Sequence, residues 1–315
     1  MDKAREWLSR LKASVQRAYL GPEENIDLLL VALIAGGHVL LDDVPGVGKT
    51  TLARALAMSL GLGFERIQCT PDLLPTDILG VNYFNQKTQD FEYRPGPVLT
   101  NILLADEINR ATPRTQSALL EAMQESQVTV AGVTRPLPRP FLVLATQNPV
   151  EMQGTYPLPE AQLDRFLLRL SLGYPGREAE KAMVLRYGAE AAPDVAPVLG
   201  GGEVLALQRQ ADGVFVSEAV LGYILDLVEA SRSNPSLSLG ASPRASLSLY
   251  RAARALAVVE GRDHVLPDDV KRLATPVLAH RVILSPQARM RGTQAEEAIA
   301  AAVAAVPVPA EPVKP

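Results

Sequence analysis

Residues 40–51, LLDDVPGVGKTT, decide how the rest of the chain is interpreted. The apolar start of this stretch predicts a buried strand, and its end predicts a helix that begins near Lys49. Gly46 and Gly48 carry no Cβ, so the loop between them can bend until successive backbone N–H groups face one point. Lys49 supplies a cation for β- and γ-phosphates, and Thr50 a hydroxyl for a metal ion. The strand before the loop favours a nucleotide site over a plain glycine turn with a chance Lys-Thr pair.

One position departs from the usual pattern of such a loop, G-x-x-x-x-G-K-[ST], because Asp43 stands in place of the first glycine. We expect its carboxylate to point away from the phosphates, since it would otherwise bring negative charge beside them. The positive end of the next helix is directed at the anion. The residues predicted to contact the nucleotide are Pro45, Gly46, Val47, Gly48, Lys49, Thr50 and Thr51.

The composition predicts a globular protein with room for two domains. The chain has 315 residues, of which 47% are hydrophobic and 21% are charged. A net charge of −4 does not favour nucleic acid as a partner, and the apolar run at 28–36 is too short to insert in a membrane. The charged N-terminus does not resemble a signal peptide. Because the single cysteine, Cys69, excludes an internal disulfide, we expect a cytoplasmic location.

The order of predicted elements indicates an α/β domain followed by an all-helical one. Strands alternate with helices up to about residue 172, which predicts a parallel sheet with helices on both faces. A helix is predicted at 70–77, and two hairpins are predicted near 83–93 and 127–135. Only helical segments are predicted after residue 176. The predicted domains are residues 1–174, residues 175–300 and a disordered Pro/Ala-rich tail at 301–315.

Residues 101–107, Asn-Ile-Leu-Leu-Ala-Asp-Glu, predict a buried strand with two acids at its carboxyl end. Ligands bind at the carboxyl ends of strands in sheets of this kind. Asp106 can hold Mg²⁺ through water, and Glu107 can polarise the water that attacks a γ-phosphate. Although an exposed Asp-Glu pair is common at strand ends, the preceding phosphate loop favours the catalytic interpretation.

Three further residues are candidates for catalysis. Asn148 comes after the strand predicted at 141–146, where its amide would lie beside the γ-phosphate and the attacking water. Arg165 precedes the last strand of the sheet, and Arg244 lies in the first turn of a helix in the second domain. Arginines disperse charge in a phosphoryl-transfer transition state. From spacing alone, however, Asn148 is a good turn residue and each arginine an ordinary surface ion-pair partner.

Several sequence blocks together resemble the MoxR family of AAA+ ATPases, whose fold is a P-loop α/β core with a parallel sheet and helices on both faces, followed by a small all-helical lid. The blocks are residues 37–50, 66–77, 106–125, 145–149 and 154–166. The resemblance is nearly complete from residue 19 to 173. It is looser in the helical domain, where Ser-Pro-Arg-Ala at 242–245 is the clearest match. At position 69, this chain has a cysteine where the family usually has an aromatic residue.

The resemblance implies an ATPase that uses ATP and Mg²⁺, with Thr50 and Asp106 at the metal and Glu107 as the base. Asn148 matches sensor 1, and Arg165 matches the arginine finger that reaches the neighbouring subunit's nucleotide. Arg244 matches sensor 2, which links the lid to the γ-phosphate. The resemblance also implies a homo-oligomeric, usually hexameric, ring. It further implies that the two hairpins face the pore or a partner, and that residues 20–22 contact adenine.

The partners implied by the resemblance are a protein with a von Willebrand factor A domain and a client protein that is matured or assembled. Two alternatives remain open at the level of sequence. One is a related AAA+ motor, such as a magnesium-chelatase ATPase subunit or a helicase. The other is a nucleotide-gated scaffold with negligible turnover, which the intact Glu107 disfavours.

Overall fold

A computed structural model of the chain describes residues 2–44, 46–147, 154–187 and 195–309. The first part contains helices and strands in alternation. Its helices are α1 (Asp2–Gln16), α2 (Glu23–Ile34), α3 (Lys49–Ser59), α4 (Pro75–Leu79), α5 (Pro113–Glu125) and α6 (Glu160–Leu163). Its strands are β1 (Val39–Asp42), β2 (Phe64–Gln68), β3 (Gly80–Asn85), β4 (Asp90–Pro95), β5 (Ile102–Asp106), β6 (Gln127–Val130), β7 (Val133–Pro136), β8 (Leu142–Gln147) and β9 (Leu168–Leu170).

The second part is mainly helical and forms the lid. Its helices are α7 (Arg177–Tyr187), α8 (Gly201–Asp212), α9 (Glu218–Ser233), α10 (Pro243–Val259), α11 (Pro267–Leu278), α12 (Pro286–Met290) and α13 (Ala295–Ala305). Two short strands, β10 (Leu237–Leu239) and β11 (Ile283–Leu284), pair antiparallel between these helices. No helix in the described ranges is long and apolar enough to cross a bilayer.

Five strands form the central sheet in the order β2-β5-β8-β1-β9, and every neighbouring pair is parallel. Because successive side chains of a strand point to opposite faces, each central strand contributes side chains to two cores. Leu41 and Leu104 pack in one core with α3 and the lid helices. Leu40 and Leu103 pack in the other core with α5. The prediction of a parallel sheet covered on both faces is therefore confirmed.

Two antiparallel hairpins project from this frame. Strands β3 and β4 pair from Gly80 opposite Pro95 to Asn85 opposite Asp90. Strands β6 and β7 form the second hairpin, in which Ala131 and Gly132 make the turn with positive φ. Both hairpins were expected from the sequence, and both are confirmed.

The helix expected at 70–77 is wrong, because α4 begins only at Pro75. The ring of a proline disfavours the helical conformation in the residue before it. Leu74 accordingly is extended, with φ −94° and ψ 154°, and it precedes the helix instead of continuing it. The chain before it makes a turn in which the Leu73 amide donates to the Thr70 carbonyl.

The second domain differs from the expectation in two respects. It is not all-helical, since β10 and β11 form a two-stranded sheet. The disordered tail does not begin at residue 301, because α13 continues to Ala305. Ile299 and Val303 lie one turn apart on α13 and are buried in the shared core, so packing orders a segment that composition alone placed in the tail.

A buried histidine joins three elements at the amino-terminal edge of the sheet. His38 Nδ1 accepts a hydrogen bond from the Val143 amide at 3.0 Å, so Nε2 carries the proton and donates to the Met123 carbonyl at 3.0 Å. The imidazole also packs edge-on against Phe141. Burial lowers the pKa of His38 to about 4, because the charged ring would lose its hydration. The ring is therefore neutral at neutral pH.

We expect the free energy of unfolding to fall as the pH drops from about 6.5 to about 4. In this interval His38 binds a proton in the unfolded chain but stays neutral in the folded chain, so acid favours unfolding. The contribution of this residue is about 3 kcal/mol, at about 1.4 kcal/mol for each unit of pKa. Denaturant titrations at several pH values should show a smaller acid loss in His38→Leu, although that variant is less stable throughout. An unchanged pH dependence in His38→Leu would contradict this assignment.

Candidate nucleotide-binding site

The loop between β1 and α3 adopts the conformation that its glycines allow. Gly46 and Gly48 have φ of 89° and 93°, which is the left-handed region where a side chain is strained. Gly48 is the last residue before α3, so the amino end of that helix opens into the loop. Lys49 lies in the first turn, and its ammonium donates to the carbonyls of Asp43 (2.9 Å) and Val44 (3.2 Å).

Asp43 points away from the loop's concave face, as expected. Its carboxylate is buried and accepts hydrogen bonds from the Ser171 hydroxyl (2.7 Å), the Leu172 amide (2.6 Å) and the Gly173 amide (3.2 Å). These partners come directly after β9, which lies beside β1 in the sheet. In place of a glycine, this chain therefore has a carboxylate that fastens the end of β9 to the start of the phosphate loop.

A pocket lies where the phosphate loop meets the carboxyl ends of β2, β5 and β8. The sheet creates this meeting point, because the carboxyl ends of parallel strands lie at one edge. The residues that line the pocket are Gly46, Gly48, Lys49, Thr50, Thr51, Arg66, Gln68, Asp106, Glu107 and Thr146. The structure thus brings the two predicted acids to the predicted loop.

Thr50 and Asp106 offer the oxygen ligands that Mg²⁺ prefers, and both line this pocket. Asp106 Oδ2 accepts from Arg66 Nε at 2.6 Å, whereas Oδ1 accepts from the Thr146 hydroxyl at 3.3 Å. No cluster of three or more His, Cys, Asp or Glu that could hold a metal occurs among the described residues. The donor set fits a cation held by one carboxylate, one hydroxyl and phosphate oxygens, which is the usual Mg²⁺ arrangement.

Glu107 is held in a defined orientation. Its φ of 56° is uncommon for a residue with a side chain, and its amide donates to the Thr146 hydroxyl at 2.8 Å. Its carboxylate Oε2 accepts from Gln68 Nε2 at 2.9 Å and from Arg110 at 3.1 Å. The same Thr146 hydroxyl therefore fixes both acids, because it accepts from Glu107 and donates to Asp106.

Four residues of this arrangement were not predicted as site residues from the sequence: Arg66, Gln68, Arg110 and Thr146. Three of them lie in or at the carboxyl ends of β2 and β8, the strands on either side of β5. A polar residue at the end of each predicted strand was the available signal. It could not be used without knowing which strands are neighbours.

An apolar pocket adjoins the phosphate loop on its other side. It is lined by residues after α1, by the loop itself and by the start of the lid: Ala18, Tyr19, Leu20, Gly21, Pro22, Val47, Gly48, Thr51, Leu172, Gly173, Pro175 and Met183. A Cβ at Gly21 would come within 2.2 Å of the Tyr19 ring, so the glycine leaves room for that ring in its position in the lining. The residues that the resemblance assigns to adenine, 20–22, are in this lining.

Arg165 and Arg244 lie in a different cleft, at the amino-terminal edge of the sheet. This cleft is lined by Gly37 and His38 before β1, by the end of α5 and by α10. It shares no residue with the phosphate pocket. Arg244 is therefore separated from the phosphate pocket of its own chain in this structure, and its assigned link to a γ-phosphate remains a prediction. The lid instead places Arg244 beside Arg165.

The cleft is positively charged. Arg165, Arg244 and Arg251 all line it, and the structure gives none of the three an ion pair within the described ranges. Arg281, which also lines the cleft, is paired with Asp164. An anion from outside the chain is the chemical complement of such a surface.

Two residues of the predicted site, Pro45 and Asn148, lie outside the described residues. Their assigned roles, nucleotide contact for Pro45 and sensor 1 for Asn148, remain predictions. The strand that leads to Asn148 is described, and its carboxyl end reaches the pocket through Thr146.

Known proteins share both halves of this architecture. Residues 38–168 match the family profile described as "ATPase family associated with various cellular activities (AAA)", and residues 229–302 match the AAA lid domain. The crystal structure of a proposed ATPase from Cytophaga hutchinsonii superimposes with a TM-score of 0.92 at 40% identity, covering 98% of this chain and 96% of that one.

Full-length relatives extend the similarity. YeaC, an uncharacterised protein of Bacillus subtilis, is 50% identical and covers 96% of this chain and 95% of its own. Chaperone MoxR1 of Mycobacterium tuberculosis is 46% identical over 88% of this chain and 76% of its own. Protein MoxR of Paracoccus denitrificans is 36% identical over 97% of this chain and 98% of its own. Together with the fold, these relatives show that the chain belongs to the MoxR family of AAA+ ATPases.

Proposed function

We propose that this protein is a Mg²⁺-dependent ATP hydrolase whose active site is completed by a second copy of the chain, and that ring assembly couples hydrolysis to the remodelling of client proteins. The observation that carries the proposal is the separation of two half-sites. The phosphate pocket lies at one edge of the sheet, and the arginines lie in a cleft at the other.

The phosphate pocket contributes binding and the attacking water. Lys49 and the amides of the loop hold the β- and γ-phosphates, which the amino end of α3 also favours. Thr50 and Asp106 would hold Mg²⁺, whose charge offsets that of the phosphate oxygens. Glu107 accepts a proton from the water, and Gln68 and Arg110 orient its carboxylate for that task. The proposal includes the roles predicted from the sequence for Pro45, nucleotide contact, and for Asn148, sensor 1.

The cleft contributes the cations that disperse transition-state charge. Arg165 is the finger and Arg244 is sensor 2, and both act on the nucleotide bound by the next subunit. Contact between two different surfaces of identical chains is heterologous, and it closes into a ring when the rotation between copies allows. We propose a hexamer, since that is the state the resemblance implies.

The β3–β4 hairpin is the proposed contact for a client. Phe84 and Phe91 pack edge to face with their centroids 5.4 Å apart, yet 52% and 67% of their surfaces remain exposed. Tyr83, on the same hairpin, is 45% exposed. Exposed aromatic rings favour binding to protein surfaces.

A protein with a von Willebrand factor A domain is the proposed partner. The cytoplasm is the proposed location, consistent with the free Cys69.

Glu107→Gln should bind Mg·ATP about as tightly as the wild type but hydrolyse it at least about 100-fold more slowly, because general-base catalysis contributes about 10²–10⁴-fold. Phosphate release and equilibrium nucleotide binding measure the two effects separately. Equal turnover in wild type and variant would mean that Glu107 is not the base. Negligible turnover in the wild type itself would favour the nucleotide-gated scaffold.

The specific activity of the wild type should rise with protein concentration and level off once rings are complete, because Arg165 acts across an interface. Arg165→Ala should lose at least about 1,000-fold in turnover, the lower bound for an arginine finger, and keep its ATP affinity. Steady-state ATPase assays over a dilution series test both points. Concentration-independent activity, or normal turnover in Arg165→Ala, would contradict the composite site. ATPase activity stimulated by DNA would favour the helicase-like alternative.

A further inference from the structure

A single arginine of the lid holds the backbone that carries Arg165. Arg281 lies in the short 3-10 helix after α11, and its side chain is only 2% exposed. Its guanidinium donates to Asp164 Oδ1 at 2.7 Å, to the Phe166 carbonyl at 2.7 Å and to the Leu167 carbonyl at 3.2 Å. Arg281 therefore makes hydrogen bonds to the chain on both sides of Arg165.

The neighbouring histidine reinforces this contact. His280 is buried, and its Nε2 lies 3.0 Å from the Phe166 carbonyl, which can only accept, so Nε2 is the donor. Phe166 is itself fully buried in the core beneath the sheet. Two lid side chains thus converge on one peptide carbonyl directly after Arg165.

The carboxylate of Asp164 also reaches the helix that carries Arg244. Asp164 Oδ2 accepts from the Ser242 hydroxyl at 3.3 Å. Ser242 is the N-cap residue of α10, where a serine hydroxyl ordinarily accepts from the helix, but it makes no such bond here. The hydroxyl is directed to Asp164 instead. Arg281 contributes a second link to α10 through the Ser248 hydroxyl at 3.1 Å.

Stability alone does not account for this network. A buried ion pair gains little over well-packed apolar side chains, because both charges lose their hydration. The Arg281 guanidinium, however, is hydrogen-bonded through Nε and both terminal nitrogens, and such a bonded buried group fixes one geometry. Here the fixed geometry joins Asp164, beside Arg165 in the chain, to Ser242, two residues before Arg244.

We infer that Asp164 and Arg281 are positioning residues that lock Arg165 and Arg244 into one rigid element, which docking of the lid presents to the nucleotide of the next subunit. This inference rests on the proposed function, because it assumes that both arginines act on a neighbour. Asp164 and Arg281 touch no substrate themselves. A lid displaced from Asp164 releases both arginines together, so lid docking controls the neighbour's turnover.

The test is complementation between purified full-length variants. Asp164→Asn should lower kcat by about 10- to 100-fold with less than about a twofold change in KM for ATP, since misplacing a catalytic group by about 1 Å costs up to about 100-fold. Mixing with Glu107→Gln should restore hydrolysis. The Glu107→Gln copy presents correctly held arginines, and the Asp164→Asn copy supplies an intact phosphate pocket.

Two mixtures separate this inference from the proposed function. Arg165→Ala with Glu107→Gln should regain activity, and failure to do so would overturn the composite site itself. If that mixture regains activity and Asp164→Asn with Glu107→Gln does not, only the positioning role is overturned. Lys49→Ala with Glu107→Gln should stay inactive, because both defects lie in the phosphate pocket.

A matched control removes a similar ion pair elsewhere in the lid. Asp269 accepts from Arg262 at 2.6 and 2.7 Å, and its side chain is 7% exposed. Asp269→Asn should lower thermal stability, and mixing it with Glu107→Gln should restore no ATPase activity. If mixing did restore activity, the effect at Asp164 would be non-specific and the inference would be overturned. Ser242→Ala, which removes one hydroxyl, carries the test if Asp164→Asn does not fold. It should show a complementable loss of a few fold in kcat, and a loss that is not complementable would overturn the inference.

Discussion

The parallel direction of the sheet is the constraint on which the site depends. All five strands run the same way, so the residues after each strand lie at one edge of the sheet and the residues before it lie at the other. A strand of four residues, such as β1, separates these edges by about 13 Å at about 3.3 Å per residue. The phosphate loop comes after β1, and Arg165 precedes β9, its neighbour. One chain therefore presents its acids and its arginine in opposite directions.

The features that the sequence predicts are local. The phosphate loop and the acids at the end of β5 are each encoded within a dozen consecutive residues, and each strand or helix is predicted from its own short stretch. Thr146 and Gln68 were missed because their importance depends on strand order. β2 and β8 flank β5 in space, although neither is next to it in the chain. The outward direction of Asp43 was predicted correctly, but its partners after β9 are 128 to 130 residues distant.

In the lid too, local sequence predicts some elements, whereas others form only through tertiary contacts. Helical periodicity located five of its helices, yet the β10–β11 pair and α13 form because they pack on distant elements. Arg244 was recognised by its motif, but the motif does not say which edge of the sheet the lid covers. The lid docks there through a core that it shares with the sheet domain and through Arg281, which bonds to Asp164 across 117 residues of sequence. In the proposed assembly, the lid is part of the surface that meets the next subunit.

The central claim is that Arg165 and Arg244 serve a nucleotide bound by another copy of the chain. The most direct measurement is a structure of the Glu107→Gln assembly with Mg·ATP bound. We expect both guanidinium groups at about 3 Å from γ-phosphate oxygens of the adjacent subunit's ATP, which is hydrogen-bonding distance. An assembly in which either arginine contacts the ATP of its own chain, or in which the cleft faces solvent in every subunit, would contradict the claim.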